Sequence, residues 1–305
     1  MSTAGLAIVF GLFTWWFSTG LIIMLVRMPA KAHVWGMAAA SLLSVACLFG
    51  LVATRDNTTV AGAFAGFTYA VVVWGWLEMT FLYGYITGPR REPLEPYSTG
   101  MKRFHAAFNT VSSHEIAILL AGALLAILSF GAANQVGFWT FLVLWSMRIS
   151  AKLNLFFGVP NVSVEFLPKH LSYLSSYFDR RRVSLFFPVS VTLSSLVFGV
   201  IVHAAATTVD PFQAVALALV ATLLGLAIVE HWFLVLPLQD AALWRWALQA
   251  VDIGRISSEI APSVPASSEA VIAARAPVPS GDRLSILSPP RGGLSSVRHD
   301  KTNQS

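Results

Sequence analysis

Seven apolar runs follow one another between residues 6 and 236. Each comes close to the ~20 residues that a helix needs to cross the hydrocarbon of a bilayer. Nothing else in the chain constrains its fold as strongly. In lipid every backbone N–H and C=O must find its partner inside the segment, so such runs are helices. They lie near 6–26, 35–54, 60–87, 114–130, 138–157, 185–206 and 212–236. The first has no basic stretch before it and exceeds the roughly 7–15 apolar residues of a signal-peptide core, which predicts a retained span. The composition agrees, with 56% hydrophobic and 11% charged residues, against about 25% charged in soluble domains. The expected fold is all-α: a polytopic membrane bundle of about seven transmembrane helices.

The charges between the runs test that count. Arg27 and Lys31 follow the first run, and Arg90, Arg91, Lys102 and Arg103 follow the third. Lys169, Arg180, Arg181 and Arg182 follow the fifth, and Arg245 the seventh. The intervening loops hold only Arg55 offset by Asp56, no charge around Asn134, and Asp210. Basic loops alternate with loops nearly free of basic residues. The positive-inside rule makes the basic loops cytoplasmic, so the N-terminus is expected in the periplasm and the C-terminus in the cytoplasm. The net charge of +5 then reports orientation, and a soluble nucleic-acid binder is excluded. The single cysteine, Cys47, excludes a disulfide framework.

Three short interfacial helices are expected on the cytoplasmic side, near 98–113, 167–178 and 239–250. In the second, Leu167, Leu171, Leu174 and Phe178 share one face at α-helical spacing, with His170, Tyr173 and Tyr177 as a flanking stripe. Residues 1–251 form the membrane domain. Residues 252–305, rich in Ser, Pro, Ala and Arg, have too little apolar periodicity to bury a face and read as a disordered tail.

An ionisable side chain in a span costs a few kcal/mol and by default marks a pairing or functional site. The chain carries Glu78, His114, Glu115, Arg148, Lys152, Glu230 and His231 at mid-depth or in the cytoplasmic half, with His203 near the outer end. Arg148 and Lys152 are four apart and share a helix face, whereas Ser146, Ser150 and Asn154 lie roughly opposite. A span polar on two sides belongs inside the bundle. Glu78, Glu115 and Glu230 are the acids available to the two bases. The set reads as a buried ion-pair cluster that fixes packing, as a site for an anionic or metal-bearing ligand, or as a path for protons or ions. His114, His170 and His231 lie near one depth, and an imidazole there is a candidate ligand to the magnesium of a chlorin. No His-x-x-His, Glu-x-x-His or Cys-x-x-Cys pair supports a standard metal enzyme. Gly62 and Gly66 have the spacing of close helix packing.

Two segments stand out. Residues 145–161 read Trp-Ser-Met-Arg-Ile-Ser-Ala-Lys-Leu-Asn-Leu-Phe-Phe-Gly-Val-Pro-Asn, and residues 165–178 read Glu-Phe-Leu-Pro-Lys-His-Leu-Ser-Tyr-Leu-Ser-Ser-Tyr-Phe. Together they resemble the PuhE-like family of photosynthetic-complex assembly proteins of purple bacteria, over residues 1 to about 250. The resemblance implies the bacterial inner, photosynthetic membrane and a role in reaction-centre and light-harvesting assembly. It further implies partners among the complex subunits or the pigment-synthesis proteins, with bacteriochlorophyll as the candidate cofactor. It supplies no catalytic residues. A non-enzymatic assembly factor is the leading expectation. A transporter for a small metabolite or pigment precursor and a membrane enzyme acting on a lipid or tetrapyrrole are the alternatives. His170, Tyr173 and Tyr177 are the candidates for holding a pigment ring or docking a partner helix.

Overall fold

The computed structural model describes residues 2–162, 164, 167–180, 182–237 and 243–247. The expected tail at 252–305, most of the expected interfacial helix at 239–250, and positions 165 and 166 of the second motif lie outside the described residues. Among the described residues there are seven long α-helices and no strand: α1 (Thr3–Arg27), α2 (Ala30–Ala53), α3 (Val60–Leu82), α4 (Gly100–Leu128), α5 (Val136–Phe157), α6 (Phe186–Thr207) and α7 (Pro211–Phe233). Local chemistry sets several boundaries. The Ser2 hydroxyl accepts from Gly5 N and that of Thr59 from Gly62 N, each at 3.1 Å, and the Asp210 carboxylate accepts from Phe212 N at 3.0 Å. Pro211, at the first position of α7, lacks only an N–H that the helix would leave unpaired.

Six of these helices are long and apolar enough to cross a membrane; the exception is α5. Its course shows why composition understates it. At its start Gly137 lies against Gly66 of α3, where an added Cβ would sit 3.1 Å from the Gly66 carbonyl oxygen. At its end the Phe156 ring packs against Phe104 of α4. It therefore runs the length of the bundle, and its polar residues lower its hydropathy because they are turned onto neighbouring helices. The whole fits a multi-pass membrane protein. Large apolar side chains such as Leu42, 74% exposed on α2, and Val200, 70% exposed on α6, need lipid around them.

Helices α3, α5 and α7 form the centre. α2 packs on α3, α6 on α7, and α1 on both α7 and α3. One core cluster joins Ala7, Phe67, Val136, Phe212, Val215 and Leu219. Another joins Cys47, Val73, Leu77, Ile118, Leu125 and Phe141. The chain returns to α1 after α7: Trp244 donates to the Trp16 carbonyl oxygen at 3.1 Å, Trp16 donates to the Leu243 carbonyl at 2.9 Å, and the Trp246 ring stacks on Phe17.

The structure differs from expectation at three elements. The expected break between an interfacial helix at 98–113 and a span at 114–130 is absent, and α4 runs unbroken over 29 residues. No glycine or proline interrupts 101–121, so the polar first turns simply continue the span outward. The third span stops at Leu82, before Gly84 takes φ +79°. The expected α-helix at 167–178 is a 3₁₀ helix, Lys169–Tyr177.

At the end of the bundle with few basic residues, Asn134 ties three segments together. Its amide donates to the Gly62 carbonyl at 2.9 Å and to the Asn57 carbonyl at 3.1 Å, and its side-chain oxygen accepts from Val136 N at 3.1 Å. The Gly62–Gly66 pair thus serves two contacts: Gly66 admits α5, and Gly62 meets the loop that Asn134 pins. Replacing Asn134 with Ala leaves these buried groups unpaired and is expected to cost about 2 kcal/mol, read as a lower unfolding midpoint in detergent. An unchanged midpoint would mean that the loops hold themselves.

Candidate functional site

Five of the expected intramembrane residues meet where α3, α4 and α5 touch. Arg148 Nη2 donates to Glu78 Oε2 at 2.9 Å, and Lys152 pairs with Glu115 of α4. Two cations and two anions balance, so this cluster carries no net charge. Pairing is what makes such groups tolerable there, because an uncompensated buried ion is worth several kcal/mol of instability. His114, on α4 beside Glu115, is 0% exposed. Its Nε2 lies 4.0 Å from Glu78 Oε1, and its ring packs on Phe81 at 4.7 Å. Lys152 Nζ stands 5.9 Å over the same Phe81 ring. The His114 backbone N–H donates to the Thr87 carbonyl at 2.8 Å, which ties the cluster to the loop after α3. Glu78 Oε1, both ring nitrogens of His114, Arg148 Nε and Trp145 Nε1 are buried with no hydrogen-bond partner among the described residues. Polar atoms left over beside ion pairs are uncommon in packed interiors, and they give the cluster capacity for a further polar group or a proton.

The other expected members are placed elsewhere. Residues 150 and 154 are about 200° around α5 from 148 and 152, so they face α6 and α7. Ser150 Oγ lies 2.9 Å from His231 Nε2, and His231 Nδ1 lies 2.7 Å from the Ala227 carbonyl oxygen. A carbonyl only accepts, so Nδ1 carries the proton and Nε2 accepts from Ser150. Asn154 donates to the Ser150 carbonyl at 3.0 Å and to Ser190 Oγ of α6 at 3.1 Å. Glu230, one residue before His231, is turned toward α1 and accepts from Trp15 Nε1 at 2.9 Å. The eight-residue cluster expected from depth alone is therefore an ionic group on one side of α5, a neutral hydrogen-bonded group on the other, and Glu230 of α7 turned to Trp15 of α1. Among the described residues no three His, Cys, Asp or Glu side chains gather as metal ligands.

The Lys169–Tyr177 helix lies against the basic end of this assembly. Its 3₁₀ winding repeats every three residues, so Leu171, Leu174 and Tyr177 form the buried stripe, the two leucines packed with Phe81, Leu82 and Val111. Tyr177 thereby changes sides from the flanking stripe expected for an α-helix. It is 4% exposed, donates to the Glu92 carbonyl at 2.8 Å and accepts from Arg90 Nε at 2.8 Å, so its hydroxyl is committed to structure. Tyr173 is half-buried, while His170 is exposed. The His170 ring lies against Gly84, where an added Cβ would come within 3.1 Å of Nε2. Partial burial pulls the His170 pKa below its ordinary value, outweighing a bond to the Leu82 carbonyl that raises it. Sequence reasoning treated Arg103 as an orientation signal only. It donates to the carbonyls of Phe156 at 2.8 Å and Tyr177 at 2.9 Å, clamping α4, α5 and the 3₁₀ helix together. The only trace of this in the sequence is that it is one of a pair of basic residues beside an aromatic.

Arg148→Met leaves the Glu78 carboxylate unpaired inside the bundle, and the loss is expected to be about 3 kcal/mol. The double variant Glu78→Gln with Arg148→Met removes both charges and is expected to recover much of it. Unfolding midpoints of both single variants and of the double variant in detergent measure the coupling; purely additive losses would show that the pair contributes nothing.

A family model for a protein of unknown function, DUF3623, matches residues 1–254. An uncharacterized 30.4 kDa protein from Rhodobacter capsulatus, described as lying in the puhA 5′ region, is 38% identical over 245 residues, covering 79% of this chain and 89% of the relative. No solved structure matches. The match begins before α1 and continues past α7, taking in the ion cluster and the Lys169–Tyr177 helix, and the chain belongs to the DUF3623 family.

Proposed function

We propose that this protein is a membrane-embedded assembly factor for photosynthetic complexes, and that it receives a complex subunit or its bacteriochlorophyll at the face built from α5 and the Lys169–Tyr177 helix. The observation that carries this reading is the relative from Rhodobacter capsulatus, whose description places it in the puhA 5′ region. The resemblance of residues 145–161 and 165–178 to the PuhE-like family points to the same process. The geometry supports the choice of face. Arg103 and the Phe81 contacts make α4, α5 and the 3₁₀ helix one unit, and His170 stands exposed on it. Its imidazole is held toward the neutral form, the form that ligates a metal centre. Tyr177, buried and doubly hydrogen-bonded, holds this surface in place and makes no contact with the incoming partner.

Loss of the gene is expected to lower assembled complexes in whole-cell absorption spectra, and the wild-type gene to restore them. His170→Ala should be present at wild-type level by immunoblot yet restore the complexes poorly, whereas Arg148→Ala should lower the amount of the protein itself. Normal spectra in the deletion strain would reject the function. Full restoration by His170→Ala would reject the site.

The same reading sets the orientation, with the N-terminus periplasmic and the basic end cytoplasmic. Reporter fusions within 131–135 should report the periplasm, and fusions within 92–98 the cytoplasm. Identical signals from the two positions would contradict the alternation of α3, α4 and α5.

A further inference from the structure

Arg148 is paired but not enclosed. Along α5 (Val136–Phe157) it stands about 18 Å from the first residue and about 13 Å from the last, a depth at which lipid surrounds the bundle. Yet 38% of its side chain is exposed, against 12% for its partner Glu78. Its one hydrogen bond among the described residues runs from Nη2 to Glu78, and its Nε is unpartnered. A guanidinium has five N–H donors and no acceptor, so an open edge of donors meets the hydrocarbon. A donor left without an acceptor there costs several kcal/mol. A second unpartnered donor stands on the same face. Trp145 is three residues before Arg148, hence its neighbour on the helix surface, and long helical side chains lean back over the preceding turn. The Trp145 ring packs against the Val73, Leu77, Ile118 and Leu125 cluster of α3 and α4 and lies over Gly122, where an added Cβ would be 3.7 Å from it. Its indole N–H has no partner among the described residues, although an indole in a protein interior usually finds one. Lys152, one turn further on, is 22% exposed and held by Glu115. The other wall is α4, which packs on α5 and more lightly on α3.

The geometry points to a site between α4 and α5 for a flat, neutral, lipophilic molecule that offers a ring carbonyl oxygen to Arg148 and Trp145. Three constraints select that chemistry. The two ion pairs already balance, so an anion would leave a net charge inside the hydrocarbon; the ligand is neutral. The unmet groups on this face of α5 are N–H donors, so the ligand presents an acceptor. At this depth the ligand arrives through lipid, so it is apolar over the rest of its surface. A partner's transmembrane helix fits less well, because its backbone carbonyls are bonded within the helix itself. A ring carbonyl arrives unbonded, and the indole supplies a flat wall for the ring. The site stands apart from His170 and does not rest on the role assigned to that residue.

The test uses the full-length protein in mild detergent and two probes built on the same methylated ring: duroquinone, which has ring carbonyls, and durene, which has none. Equilibrium dialysis against the same detergent without protein reads the uptake of each. Wild type should bind duroquinone saturably, with an affinity about tenfold above that for durene. Trp145→Phe keeps an aromatic ring and removes the N–H, and the fold loses no hydrogen bond by it. Its unfolding midpoint should therefore hold while the preference falls about threefold. The double variant Glu78→Gln with Arg148→Met removes the guanidinium together with the charge it balances, and should take up the two probes equally. Lys31→Gln removes an exposed cation at the basic end of the bundle and should keep the full preference. Equal uptake of the two probes by wild type, an undiminished preference in Trp145→Phe or in the double variant, or a comparable loss in Lys31→Gln would each overturn the site.

Discussion

Two cations one turn apart on a helix inside hydrocarbon decide how this bundle can be put together. Arg148 and Lys152 cannot face lipid unpaired, so α5 must lie where carboxylates can reach it, and Glu78 and Glu115 come from two different helices. Satisfying both fixes α3 and α4 on one side of α5. The opposite side is specified by neutral donors and acceptors, Ser150 with His231 and Asn154 with Ser190. The helix with the weakest membrane signal is thereby the one that addresses four of its neighbours. Apolar packing between lipid-bathed helices has little directional preference; the ionic and hydrogen-bonded contacts of α5 supply direction and register.

The architecture was legible from apolar run length, and the alternation of basic loops was consistent with it. The pairing of both bases with acids was legible too, because the energetic penalty of an unpaired charge left few arrangements. What depth alone could not reveal was azimuth. Glu230 and His231 are adjacent in sequence but point about 100° apart, and one meets α1 while the other meets α5. The 167–178 segment shows a different limit. Its apolar residues fit an α-helical stripe, but the 3₁₀ winding adds Tyr177 to the buried face, while Leu167 and Phe178, just outside the helix, stay packed on the same cluster, partly buried. Spacing of four, three and four cannot distinguish two windings over so short a stretch. Asn134 and Arg103 escaped notice because single polar residues in loops and at helix ends carry no periodic signal; their importance comes from backbone groups that converge only in three dimensions.

Buried polar atoms without partners gather around His114, while others are scattered singly at Thr140, Asn154, Tyr173, Ser184 and Trp246. The ion pairs beside them are closed, and the polar groups of the α6–α7 side are largely matched. A histidine with 0% exposure, both ring nitrogens unengaged and a carboxylate oxygen 4.0 Å away marks a part of the bundle where packing has not exhausted the hydrogen-bonding potential. Its ring packs on Phe81, which also joins Leu171 and Leu174 of the Lys169–Tyr177 helix in one core cluster. A disturbance at the proposed docking face therefore has a short mechanical route to the charged centre.

The placement of α1 bears on the order in which the chain can be completed. Besides α3, its partners are α7, through Gly11 against Thr222, and the Leu243–Trp246 segment, through Trp16 and Phe17. These last contacts join residues more than two hundred positions apart. During translation α1 can settle early on α3, through Phe10 against Phe64 and Phe67, but its stripe toward α7 stays covered by lipid while α4 to α6 are threaded beside it. The bundle is therefore closed by its last-made elements, and a ribosome that stops before residue 211 releases a chain whose first helix is held on one side only.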